Sequence, residues 1–200
     1  GYPAYGGKGT YHNAISLDHY GLQGEGGLDY LTSHADSKKF LFLPDSTVAT
    51  TDTFYVREEK GYPDVKGGRN SLHWLPYQDS MAVATLKKGR PLSIYRGDGQ
   101  FTGRFDLMPK GAAASGTAVV QEGTLESDRF LMLARQMDAE VSNFTLRSNT
   151  SNAIAFTAHN VRSHVDYDER HADLQIASGP ARTELQLVKM EAYADLFSWE

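Results

Sequence analysis

The chain has 200 residues, 40% hydrophobic and 22% charged, with 11 Tyr, 9 Phe and 2 Trp, which is enough apolar material for one sizeable core. A formal net charge of −5 and a pI of about 5.8 argue against a general binder of nucleic-acid backbones, which needs clustered Lys and Arg. The absence of Cys removes disulfides, thiolate nucleophiles and zinc-thiolate sites, and no apolar run reaches the roughly 20 residues that span a bilayer as a helix.

The sequence starts at Gly1 rather than Met, which reads as a processed or tag-derived start, and no basic stretch followed by an apolar segment marks a secretion signal. From Gly1 to Asp36 glycines alternate with Tyr2, Tyr5, Tyr11, Tyr20 and Tyr30 without a clean period. This predicts an extended arm whose tyrosines contact neighbouring subunits, since Tyr offers large contact area at low entropic cost. Residues 37–200 are expected to form a single β-rich domain.

From Lys39 onward short β-type runs follow one another: Lys39 to Leu43, Thr47 to Val56, Met81 to Leu86, Leu92 to Arg96 and Gln100 to Leu107. Turn residues bound them, including Pro44-Asp45, Lys88-Gly89, Gly97-Asp98-Gly99 and Pro109-Lys110-Gly111. Arg57 to Ser80 reads as a long functional loop. Leu125 to Ala139 sets Phe130, Leu133, Ala134 and Met137 at i, i+3, i+4, i+7 behind Thr124, which predicts one helix around 125–139. Strands resume at Val141 to Arg147, Ala153 to Ala158, Ala172 to Ala177 and Thr183 to Phe197, with turns at Ser148 to Asn152 and Ser178-Gly179-Pro180. No repeat at a fixed period is evident, so repeat architectures are set aside. The expected fold is mainly β: an antiparallel sandwich of jelly-roll type, or a barrel, with one helix and an N-terminal arm.

The densest chemistry lies between His164 and Asp173. His164, Asp166 and Asp168 share a face at period two, and His171 and Asp173 share one after a turn, a set of imidazoles and carboxylates that could hold a divalent cation. The plain alternative is a solvated, charge-mixed connection in which Arg170 neutralises nearby acids. His12, Asp18, His19, His34 and Asp36 form a second, scattered group without ligand-pair spacing. His73, Trp74 and Tyr77 could form an aromatic platform for a sugar ring, although a Trp between Leu72 and Leu75 also fits a core plug. Arg96-Gly97-Asp98 matches an integrin-ligand tripeptide but equally suits turn chemistry. Asn143-Phe144-Thr145 and Asn149-Thr150-Ser151 match the glycosylation acceptor pattern. No nucleophile elbow, P-loop or Rossmann fingerprint is present, and no catalytic residue is assigned.

These features favour a non-enzymatic structural subunit of a multimeric assembly, of the virion coat, tail or filament type, extracellular or in a virion. Self-association is its expected partnership, and no cofactor is expected beyond the candidate cation. A secreted metal-dependent carbohydrate-active or cupin-like enzyme using His164 to Asp173 is the alternative, and a carbohydrate-binding β-sandwich module is a second one.

Overall fold

The computed structural model describes residues 1–121, 123–148, 153–176, 183–185, 190–192 and 196–199. A first series of strands comprises β1 (Tyr2–Ala4), β2 (Gly9–Asp18), β3 (Gly21–Tyr30), β4 (Ser33–Phe42), β5 (Thr47–Thr50), β6 (Thr53–Val56), β7 (Val65–Gly67), β8 (Asn70–Leu75) and β9 (Ser80–Thr85). A second series comprises β10 (Leu92–Ile94), β11 (Gly99–Met108), β12 (Gly111–Val120), β13 (Gly123–Met132), β14 (Gln136–Arg147), β15 (Ile154–Asp166) and β16 (His171–Ile176). β17 (Thr183–Leu185), β18 (Met190–Ala192) and β19 (Leu196–Trp199) follow. All pairings are antiparallel, and the protein is mainly β.

The two series are one design used twice. Strands β1 to β4 return as β10 to β13 with a displacement of 90 residues, and β9 returns as β16 after 91. β5 and β6 return fused as β14, and β7 and β8 return fused as β15. Backbone conformations repeat as well: φ is +48° at Tyr5 and +54° at Tyr95, +148° at Gly26 and +140° at Gly116, +51° at Leu31 and +52° at Gln121. Both copies carry a β-bulge, between Gly24 and Gly26 in the β3–β4 pair and between Ala114 and Gly116 in the β12–β13 pair. Opposite each bulge a serine stitches the chain. Ser37 Oγ accepts from Lys39 N (3.0 Å) and donates to Thr50 O (2.7 Å), while Ser127 Oγ accepts from Arg129 N (3.1 Å) and donates to Val141 O (2.7 Å). The expectation of no repeat is therefore corrected. The equivalence rests on sparse landmarks such as Gly9 and Gly99, Phe40 and Phe130, and Phe54 and Phe144, separated by divergent residues.

The junction of the two series is a closed eight-stranded antiparallel barrel, running β4, β5, β8, β9, β11, β10, β7, β6 and back to β4. It closes because two long strands each serve two partners on one edge. β4 pairs with β5 through Phe40–Phe42 and with β6 through Ser33–Asp36. β11 pairs with β10 through Gly99–Phe101 and with β9 through Arg104–Leu107. Alternate residues point inward, so Phe54, Leu72, Met81, Val83, Leu92, Ile94, Phe105 and Leu107 are all buried. The core runs on without a break through Phe101, Phe130 and Phe144 of the second series.

Three further expectations are corrected. Residues 125–139 are not a helix but the end of one strand, a turn and the start of the next, β13 and β14. Phe130 lies near the end of β13, Leu133 and Ala134 in the turn that follows and Met137 at the start of β14, with Leu133 42% exposed, so the i, i+3, i+4, i+7 spacing arises across a hairpin and not along one helical face. The N-terminal stretch is no detached arm: it forms β1, β2, β3 and the start of β4, and β4 crosses the expected boundary at 36 and 37. Arg57 to Ser80 holds β7 and β8, both inside the barrel wall. The acceptor sequence at Asn149 and the turns at 149–152 and 178–180 lie outside the described residues, as do the gaps within 183–199.

Phe105 and Ile15 occupy equivalent places in the two series, yet Phe105 is 0% exposed and Ile15 47%. Phe105→Ala is expected to cost about 3–5 kcal/mol through transfer and cavity terms, and Ile15→Ala less than about 1 kcal/mol. Urea denaturation of both variants checks the difference.

Candidate functional site

The segment with the most ligand-capable side chains is where β15 turns into β16. His164 sits opposite Asp138 of β14, with Nδ1 and Oδ1 2.6 Å apart. Asp166 sits opposite Gln136, whose Nε2 donates to Oδ2 at 2.8 Å, and Asp166 Oδ1 accepts the backbone N–H groups of Asp168 and Glu169, both at 2.9 Å. Those backbone bonds and the Gln136 bond hold the Asp166 carboxyl below the usual range. His171 Nε2 lies 2.9 Å from Asp173 Oδ1. Asp168 turns away to Arg135, whose Nε donates at 2.8 Å. The five candidates are thus spent in separate pairs, and among the described residues no three His, Asp or Glu side chains converge as a metal site. The neighbouring cleft, lined by Asp98, Gln121, Tyr167, Arg170 and His171 among others, encloses about 120 Å³, room for a few waters rather than a sugar ring.

Arg135 ties three turns together. Its guanidinium reaches Asp168, Asp98 Oδ2 (3.1 Å) and the Tyr95 and Tyr167 carbonyls (both 3.3 Å), and it lies over the Tyr167 ring. Tyr167 stacks on Tyr95 at 3.9 Å, and burial pushes both phenols up. Arg96 is held by Glu58 through two bonds (2.9 and 2.6 Å). Both charges of the Arg96-Gly97-Asp98 tripeptide are therefore engaged within the chain.

A longer polar chain crosses the outer face of the first series. Asp29 receives His12 Nε2 at 2.7 Å and His34 Nδ1 at 2.5 Å; His34 Nε2 reaches Asp36 Oδ1 at 3.1 Å, and Thr53 Oγ1 donates to Asp36 Oδ2 at 2.8 Å. Tyr55 stacks on the His34 ring at 5.3 Å. Strand register builds this chain: Asp29 and His34 are directly opposite across the β3–β4 hairpin, and Gly27 lies opposite both His12 and Asp36. A Cβ on Gly27 would come within 2.7 Å of the His34 ring. Asp18 and His19, grouped with these histidines in sequence, do not join them; Asp18 caps the β2–β3 turn at Tyr20 N. The sequence reading missed Asp29, although its five-residue spacing from His34 around a tight turn is the hairpin signature that brings the two together. The second series has Thr102, Val119, Thr124 and Glu126 at the places of His12, Asp29, His34 and Asp36, so the chain belongs to the first series alone.

The five N-terminal tyrosines divide by position. Tyr11 and Tyr30 are buried in the chain's own core, and Tyr5 locks its own series, reaching the Leu43 and Ser46 carbonyls as Tyr95 reaches Gln136 O (2.8 Å). Burial raises the Tyr30 phenol to about 12. Tyr2 and Tyr20 stay exposed. Trp74 is fully buried against Tyr5 and Tyr30, whereas His73 and Tyr77 point outward, so the three do not form one platform.

The outer edge of β2 forms the remaining feature. Among the described residues no strand pairs with it beyond Tyr11, and Ile15 and Leu17 lie exposed beside an apolar groove lined by Tyr2, Ala4, Leu22, Phe42 and Leu43. Compared with known protein families, with curated proteins and with solved structures, the chain matches none.

Burial works against a charge on His34, but its bonds to Asp29 and Asp36 outweigh this and raise its pKa; Asp29, although desolvated, is held below its ordinary value by His34 and His12. The histidine's contribution to stability is complete below its unfolded pKa and is lost as pH rises through the folded one. That of Asp29 is present above its unfolded pKa and is lost as pH falls through the folded one. The chain stabilises most between the ordinary carboxylate and histidine values. NMR titration is expected to place the His34 midpoint above an ordinary histidine's, and Asp29→Asn to bring it down.

Proposed function

We propose that this chain is a non-enzymatic structural subunit of a multimeric assembly, of the coat, tail or filament type, in which one β-sheet is extended unit by unit. The observation that carries this reading is the junction of the two series. β9 of the first pairs with β11 of the second, and β7 with β10, so that the sheet passes from unit to unit and each unit completes the burial of the next. Units that cannot bury their apolar face alone, and that stack on like neighbours, are the physical basis of extended repeat assemblies. The N-terminal segment takes part as edge strands, a form of contact that needs no flexible arm. The side chains that an enzymatic reading would use are engaged in local pairs that set turns and register.

Sedimentation across a range of concentrations tests the reading. A mass rising well beyond the 22.1 kDa of one chain is expected, and a strictly monomeric chain at the highest concentration overturns it.

A further inference from the structure

We propose that the outer edge of β2 docks onto strand β16 of a second copy of this chain, taking the place that β19 holds there. This inference rests on the assembly reading and names its interface.

The chain itself shows what covers this edge. In the second series the equivalent edge is β11, and β9 lies along it with Phe105 opposite Val83, Asp106 opposite Ala82 and Leu107 opposite Met81. There Leu92, Phe105 and Leu107 are all 0% exposed, while their counterparts Tyr2, Ile15 and Leu17 are 64%, 47% and 78% exposed. A strand with bare N–H and C=O groups and a row of exposed apolar side chains is a template for strand addition, and the β9-type strand is its demonstrated occupant.

The second copy offers that occupant as β16. Its residues Ala172, Asp173 and Leu174 are the counterparts of Met81, Ala82 and Val83 and pair with Trp199, Ser198 and Phe197 of β19. The partner strand is the same element at each occurrence: Ile15-Ser16-Leu17, Phe105-Asp106-Leu107 and Phe197-Ser198-Trp199. Exchange replaces a four-residue strand, β19, with β2, which arrives attached to β1, β3 and β4 and so brings the wall of a complete barrel. Pro3 stands at the place of Ser93 and donates no N–H, so β2 rather than β1 is the main rail. The contact is heterologous, head to tail, and therefore open-ended.

Because the chain lacks Cys, paired single-cysteine variants report the register directly. Chains carrying Ser16→Cys are mixed with chains carrying Asp173→Cys under mild oxidation, and a disulfide-linked dimer is expected. Ser16→Cys with Arg162→Cys, one strand further away on β15, is expected to yield little. Leu17→Lys, at an exposed position that leaves folding intact, is expected to weaken association at least about tenfold by placing a charge on the apolar edge beside the groove. Absence of the 16–173 link, or assembly unchanged in Leu17→Lys, overturns this interface while leaving the assembly reading in place. A wild-type chain that stays monomeric overturns both.

Discussion

Everything else in the structure depends on the hydrogen-bonded pairing of β9 with β11. Strand β11 is the long first strand of the second series, yet half of one edge is lent to the last strand of the first and the other half to β10. That division turns an open meander into a closed barrel, and closure removes the exposed edges that a free sheet would present. It also decides which residues are core. Leu92, Ile94, Phe105 and Leu107 are buried because β7 and β9 of the preceding unit lie over them, and the same positions in the first series lack that cover.

Within each unit the locking devices recur while the surface chemistry changes. The tyrosine after the short first strand reaches a carbonyl beyond the third long strand, at Tyr5 and again at Tyr95, and the bulge serine recurs at Ser37 and Ser127. Outward positions differ freely: the first series carries the His12, Asp29, His34 and Asp36 chain, and the second carries the Asp138–His164 and Gln136–Asp166 pairs. Interior geometry constrains residues through packing and register, whereas the outer face needs only that charges find partners. The polar clusters are therefore best understood as unit-specific pairings laid over a common frame.

How much of this was legible in the sequence follows from the same distinction. The β class and most turns could be read, because Gly97-Asp98-Gly99 and Pro109-Lys110-Gly111 punctuate alternating runs wherever the chain reverses. The helix reading at 125–139 failed because its apolar positions straddle a hairpin, Phe130 on one strand, Leu133 and Ala134 in the turn and Met137 on the next strand, and no Gly or Pro marks that turn. The repeat escaped because what recurs is conformation: positive φ at Tyr5 and Tyr95 or at Leu31 and Gln121 leaves little trace in residue type. The polar chain escaped for a related reason. His12, Asp29 and Asp36 meet only across strands, and their meeting depends on register and on the missing side chain of Gly27.

The remaining asymmetry concerns strand supply. Among the described residues the first long strand of the unit occurs three times, as β2, β11 and the pair β18 and β19, while the closing strand that covers it occurs twice, as β9 and β16. Of these three, β11 is paired with β9 and β19 with β16, and β2 is the edge that no described strand covers beyond Tyr11. Its alternation of Ile15 and Leu17 toward the barrel side matches Phe105 and Leu107, so the edge has the chemistry of an interior surface in an exterior place. An apolar interior pattern at an open edge is a liability in isolation, and it becomes a specification where the β16 strand of a second copy takes β2 in exchange for β19.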